Sequence, residues 1–198
     1  MQEIVVATRN KGKILEINKL LNIPGLHLRN ILDFSSVPET IEDGDTLEAN
    51  SLKKAKEAFA ATHLPSIADD SGLEVYSLDM RPGVYSARYS GENATYEQNN
   101  KKLLYELQDI PTSKRTARFR CVVAFVANNV EMVFEGICNG KIIIEPRGNE
   151  GFGYDSLFVP DNYGQTFAEL PLSIKNAISH RAKAFLSLHD FLLKYFSL

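Results

Sequence analysis

Cysteine is scarce in this sequence. Cys121 and Cys138 are its two thiols, both in strand-like segments, so the sequence offers no metal-type cysteine spacing and both read as reduced core thiols. Long apolar runs are missing as well: none approaches the roughly 18 residues of a membrane-crossing helix. The amino terminus turns polar within three residues of Met1, so no secretory leader is expected. A cytoplasmic location and no membrane partner are therefore expected. There is no low-complexity tract and no internal repeat, which rules out solenoids and linker-like disorder. Excess charge of one sign is lacking too. With 22 Lys and Arg against 25 Asp and Glu, the net charge of −3 argues against nucleic acid as a partner. The cations are local, which suits a small anionic ligand.

What is present is an ordinary globular composition, 44% hydrophobic and 24% charged over 198 residues, enough to bury a core without disulfides or metal. Residues 3–7 read as a buried strand and 14–21 as a helix with apolar Ile14, Leu15, Ile17, Leu20 and Leu21. A second helix is predicted over about 46–61, after an acidic loop from Pro38 to Asp45. Residues 66–68 read as a short strand, and Arg81 to Thr95 as a long irregular loop. Thr95 and Gln98 form a capping-box pattern ahead of a helix. Strands are expected over 116–127 and 130–138, joined by a tight turn at Asn128-Asn129, with a further strand at 141–144. The last helix runs from about Ser179 to Phe196, with Ala182, Phe185, Leu186, Leu192 and Leu193 inward. Helices mixed with strands and a hairpin indicate an α/β fold with a mixed sheet, and no linker divides the single domain over 1–198.

Three stretches carry chemistry. In Thr8-Arg9-Asn10-Lys11-Gly12-Lys13, a strand runs into a helix start, where unpaired amides and the helix dipole attract phosphate. Gly12 is expected to relax the backbone there, Thr8 and Asn10 to add hydrogen bonds, and Arg9, Lys11 and Lys13 to neutralise charge. The stretch is not a Walker A loop, and locally it reads equally well as a basic loop capping a helix. In Ala68-Asp69-Asp70-Ser71-Gly72, two carboxylates offer hard ligands of the kind magnesium takes with waters and phosphate oxygens. Alternation along a strand would point Asp69 and Asp70 to opposite faces, whereas at a strand end both can reach one cleft. An ordinary turn is the competing reading. Glu42 is a third candidate carboxylate, and Asn50 and Lys54 lie four apart on one helix face. In Gly151-Phe152-Gly153-Tyr154-Asp155, a ring can stack on a purine while Asp155 reads ring-edge donors; a glycine-bracketed turn packed on the core is the alternative. Lys175, His180 and Arg181 bring further donors near the last helix, where His180 and Arg181 could meet carbonyl oxygens of a base.

In this order, the motifs resemble the inosine triphosphate pyrophosphatase family. The resemblance spans nearly the whole chain. It rests on the segments 7–13, 68–73 and 151–155, on Pro82-Gly83-Val84-Tyr85-Ser86-Ala87-Arg88-Tyr89, and on Ile178-Ser179-His180-Arg181. It implies hydrolysis of ITP, dITP and XTP at the α–β phosphate bond to the monophosphate and pyrophosphate. Such an activity clears these nucleotides before they enter DNA or RNA. It also implies Mg2+ as cofactor, a homodimer, and an elongated mixed sheet flanked by helices, with two lobes around a nucleotide-binding cleft. Carried over, Thr8 to Lys13, Lys54 and Ser71 match the phosphate-binding positions, with Lys13 also catalytic. Asp70 matches the proton acceptor and a metal ligand, and Asp69 and Glu42 the supporting acidic positions. Phe152, Gly153, Tyr154, Asp155, Lys175, His180 and Arg181 match the nucleoside side. The chain departs from the pattern at Arg9, commonly glycine, at Ser156, commonly proline, and at Leu170, commonly methionine. Two other classes remain open: a regulatory module that binds nucleotide without turnover, and a phosphatase or pyrophosphatase for another nucleotide.

Overall fold

The computed structural model describes residues 1–35 and 37–198. Six strands form one mixed sheet with helices around it: β1 Gln2–Val6, β2 Leu26–Asn30, β3 Ser66–Val75, β4 Thr116–Ala127, β5 Val130–Ile142 and β6 Phe158–Pro160, in the order β2-β1-β3-β4-β5-β6. The helices are α1 Lys11–Leu20, α2 Leu47–Thr62, α3 Tyr96–Glu106, α4 Leu172–Ile178 and α5 His180–Phe196. The chain divides into two compact units. One comprises Met1–Asp70, Cys121–Gly136 and Arg181–Leu198; the other comprises Ser71–Arg120 and Ile137–His180.

In the first unit β1 runs parallel to β2, with Gln2 opposite Leu26, and parallel to β3, with Val5 opposite Ser66. Alternate residues of β1 enter different cores, as strands covered on both faces require. Ile4 and Val6 join Ile17, Phe125, Phe185, Leu188 and Leu192, while Val5 joins Ala55, Ala58, Ala68 and Ala124. Full burial of one such large apolar side chain is worth about 1.5–3 kcal/mol. Asn10 caps α1 by accepting the Lys13 amide, so the helix begins at Lys11, three residues before the apolar pattern suggests. Leu15, one of the apolar residues of α1, is 64% exposed, and Leu186 on α5, expected inward, is 65% exposed. In both cases a neighbour on the same helix, Glu16 or Phe185, takes the buried position.

The second unit packs Leu73, Val75, Leu103, Leu107, Phe119, Phe158 and Phe167 together. Thr95 and Gln98 form the expected capping box at the start of α3. Within the loop of 81–95, Gly83–Arg88 forms a short 3-10 helix. The expected strand at 141–144 is the end of β5, whose Ile142 pairs antiparallel with Phe158 of β6. The Asn128-Asn129 turn joins β4 and β5 as expected, with Asn129 at a φ of 57°. The largest departure is β3. It is not a three-residue strand ending at the acidic pair but a ten-residue strand that runs through it.

Candidate active site

Because β3 stays extended through Asp69 and Asp70, alternation sends the two carboxylates to different partners. The ordinary-turn reading and the strand-end reading both fail for this reason. Asp69 is 1% exposed. Its Oδ2 lies 3.0 Å from Lys13 Nζ and accepts from Arg181 Nε and Nη2, each at 3.2 Å. Cys121 Sγ approaches the same oxygen at 3.9 Å. Burial alone would raise this carboxyl, but Lys13, Arg181 and Lys54 together hold it well below the usual carboxylate range. Arg181 also donates through Nη1 to Glu16, a 5%-exposed carboxylate on α1.

Asp70 has a different environment. Its Oδ2 accepts from Asn50 Nδ2 at 3.1 Å, and Lys54 Nζ lies 3.5 Å from Oδ1. Burial pushes its pKa up, Lys54 and Lys13 pull it down, and Glu42 adds to the rise; the net direction is upward. Lys54 Nζ also donates to Glu42 Oε1 at 2.6 Å and to the Asp69 carbonyl at 2.7 Å. Burial opposes the charge on that ammonium, yet Asp70, Glu42 and Asp69 outweigh it and keep Lys54 protonated more firmly than usual. Asn50 is held by the Gly44 amide, which donates to its Oδ1 at 2.8 Å, and Thr46 caps the helix that carries Asn50 and Lys54. Two adjacent aspartates thus reach opposite protonation tendencies, the pattern that separates a fixed anion from a group able to accept a proton.

The donors fit a hard cation. Asp70 and Glu42 present carboxylate oxygens on either side of one ammonium, and magnesium at a substrate phosphate takes only one or two carboxylates, with water and phosphate completing its shell. Among the described residues no group of three His, Cys, Asp or Glu side chains forms a protein-only metal cage.

The second unit gathers the aromatic set. Asp155 Oδ2 accepts the Phe152 amide at 2.9 Å and Lys175 Nζ at 2.7 Å. The Lys175 ammonium lies 5.0 Å from the centre of the Phe152 ring. A side chain on Gly151 would collide with Asp155 Oδ2, so the tight loop requires glycine there. His180 stacks on Phe119 at 4.7 Å and 13° and is 4% exposed. Tyr154 is buried, with its hydroxyl donating to the Ser86 carbonyl at 2.9 Å.

The other expected residues have these surroundings. Arg9 donates to the Val37 carbonyl at 2.7 Å instead of joining Lys13. Lys11 is exposed, and Gly12 lies in the first turn of α1 without a positive φ, so it does not supply the relaxed backbone expected of it. Thr8 is half-buried and supports the turn by accepting the Asn10 amide at 3.3 Å. Ser71 is half-buried within β3. Arg181 pairs with Asp69 and Glu16 in the first unit. Glu16 is a buried site residue that the apolar periodicity of its helix does not signal. Its spacing of three from Lys13 was the available signal.

Fold and site together define an α/β protein that holds a buried carboxylate–lysine cluster beside a capped helix start. The chain belongs to the Ham1 family, whose family model matches residues 4–191. It is 52% identical to the dITP/XTP pyrophosphatase of Geobacter sulfurreducens, covering 97% of each chain. The structure of a HAM1 protein from Coxiella burnetii is 40% identical with a TM-score of 0.90, covering 98% of this chain and 100% of that one. The Staphylococcus aureus Ham1 protein is 38% identical with a TM-score of 0.88, over 98% of this chain and 100% of its own.

Proposed function

We propose that this protein is a hydrolase that cleaves ITP, dITP and XTP between the α- and β-phosphates, releasing the nucleoside monophosphate and pyrophosphate and so clearing these nucleotides from the pool. The observation that carries the chemistry is the divergence of Asp69 and Asp70: one carboxylate locked in ion pairs, the next with its pKa pushed upward by burial. Asp70 accepts the proton of the water that attacks the α-phosphorus. Lys13 and Lys54, with the amides at the start of α1, neutralise charge growing on the departing pyrophosphate. Asp69 fixes Lys13, and Arg181 with Glu16 fixes Asp69. Bound through Asp70 and Glu42, with Asp69 in support, Mg2+ would polarise the phosphates and acidify water. Positioning and charge stabilisation dominate in such a transfer.

The nucleoside role falls to the second unit. Phe152 offers a stacking face, Lys175 a donor for the 6-keto oxygen of hypoxanthine or xanthine, and Asp155 an acceptor for ring N–H. Adenine, with an amino group at that position, leaves the donor unmatched, at about 1–3 kcal/mol per unpaired buried group. His180, stacked on Phe119, lines the same unit. The chain passes between the units at 70/71, 120/121, 136/137 and 180/181, which supports treating residues 1–198 as a single catalytic domain. A cytoplasmic homodimer completes the reading. Cys121 and Cys138 form no disulfide, in keeping with a reducing compartment, and among the described residues no helix is long and apolar enough to cross a membrane.

The test is pyrophosphate release from ITP, XTP, dITP, GTP and ATP, with Mg2+ and with chelator. Mg2+-dependent release favouring ITP and XTP is expected. Orthophosphate as the first product, or preference for ATP, refutes the reading. Light scattering checks the dimer.

A further inference from the structure

The Pro82–Tyr89 segment stands out in the sequence, yet the proposed chemistry makes no use of it. In the second unit it forms one end of a hydrogen-bonded frame. Ser86 Oγ accepts the Leu73 amide at 2.9 Å, on the strand that has just carried the acidic pair, and donates to the Gly83 carbonyl at 2.6 Å. The Ser86 carbonyl accepts from Tyr154 Oη at 2.9 Å. Asn99, 2% exposed on α3, donates to the Ala87 carbonyl at 2.9 Å and accepts the Ser90 amide at 2.8 Å. Its neighbour Asn100 donates from Nδ2 to the Gly153 carbonyl at 3.1 Å. One turn earlier on α3, the Tyr96 ring lies 6.2 Å from Phe152. Two adjacent asparagines of one helix therefore hold two different loops.

Phe152 sits between Gly151 and Gly153, whose φ values are 79° and 62°. Glycine joints on both sides leave the ring free to swing unless the flanking peptides are tied. Asp155 ties the peptide before the ring, and Asn100 ties the carbonyl of Gly153 after it. We infer that Asn100 is a positioning residue: together with Tyr154 anchored on Ser86, it aims the Phe152 ring and so sets base preference without touching the nucleotide. This inference rests on the proposed nucleoside role of Phe152.

The chain has no tryptophan, so Phe152→Trp places a single indole at the ring position. The experiment compares that variant with the double variant Phe152→Trp/Asn100→Ala. Removing Asn100 should lower the indole anisotropy without ligand and weaken IMP binding about tenfold, the scale of one lost hydrogen bond. In the Phe152 background, Asn100→Ala should cut the ITP-over-ATP preference by a similar factor and leave hydrolysis of ribose 5-triphosphate, which has no base, unchanged. Tyr154→Phe, which deletes one hydroxyl, should shift preference the same way and serves if Asn100→Ala does not fold. Unchanged anisotropy and preference, or an equal loss on the base-free substrate, overturns the inference. If Phe152→Ala keeps full ITP preference, the nucleoside reading is what fails, and the anisotropy still reports whether Asn100 fixes the loop.

Discussion

At the residue scale the acidic pair shows how one strand makes two kinds of carboxylate. Asp70→Asn keeps the Asn50 contact possible but removes the proton acceptor, so kcat for ITP should fall by about 10²–10⁴ with little change in KM. Steady-state kinetics decide it, and a near-normal kcat removes Asp70 from the role. Asp69 has the opposite sign. Its carboxyl is held below its unfolded value, so the stability it contributes is complete above the ordinary aspartate pKa of about 3.9 and drains away as pH falls through the lower folded value. Calorimetric scans over falling pH should show a steeper loss of Tm for the native chain than for Asp69→Asn; parallel curves would contradict the assignment. Arg181→Ala strands two buried carboxylates, Asp69 and Glu16, and should lower stability by about 3–5 kcal/mol in urea titrations. In the variant that remains folded, the ITP:ATP ratio should hold while kcat falls, because Arg181 acts through Asp69.

At the scale of elements, the strongest periodic signals were legible. The α2 helix, the α3 capping box and the Asn128-Asn129 turn all lie where residue pattern puts them. The β3 strand was not, because Asp-Asp-Ser-Gly carries turn propensity and the pairing that holds it extended comes from distant chain. Short α4 and β6 gave no periodic signal long enough to read, yet α4 delivers Lys175 to Asp155. The grouping of Lys13, Asp69, Asp70, Lys54 and Glu42 follows from the family resemblance, whereas the pairing of Arg181 with Asp69 and Glu16 depends on tertiary contacts between distant stretches of chain. Within β3, a side chain at Gly72 would collide with the Gly83 carbonyl. Gly72→Ala should therefore destabilise the protein by about 1–3 kcal/mol, and an unchanged unfolding midpoint would show that the Gly83 turn can yield.

At the scale of the whole molecule, neither compact unit is a continuous stretch of chain. The groups assigned to phosphate nevertheless lie within residues 8–71 and those assigned to the base within 152–180, and Arg181, paired with Asp69, brings the end of the chain back to the first set. One detail of the first unit bears on the order in which the proposed ligands would bind. The Lys54 ammonium stands 2.6 Å from Glu42 and 3.5 Å from Asp70, a resident counter-ion where a divalent cation would be drawn. With Mg2+ bound as proposed, the bare ion would meet carboxylates already paired with an ammonium and would gain little by entering, whereas a triphosphate would give the lysine another anion and release the carboxylates to the cation. Calorimetry should find Mg2+ alone bound weakly, Mg2+ with IMP and pyrophosphate bound well, and Lys54→Met binding the bare ion more tightly than the native chain does; tight binding of Mg2+ alone to the native protein would remove the lysine from this gatekeeping part.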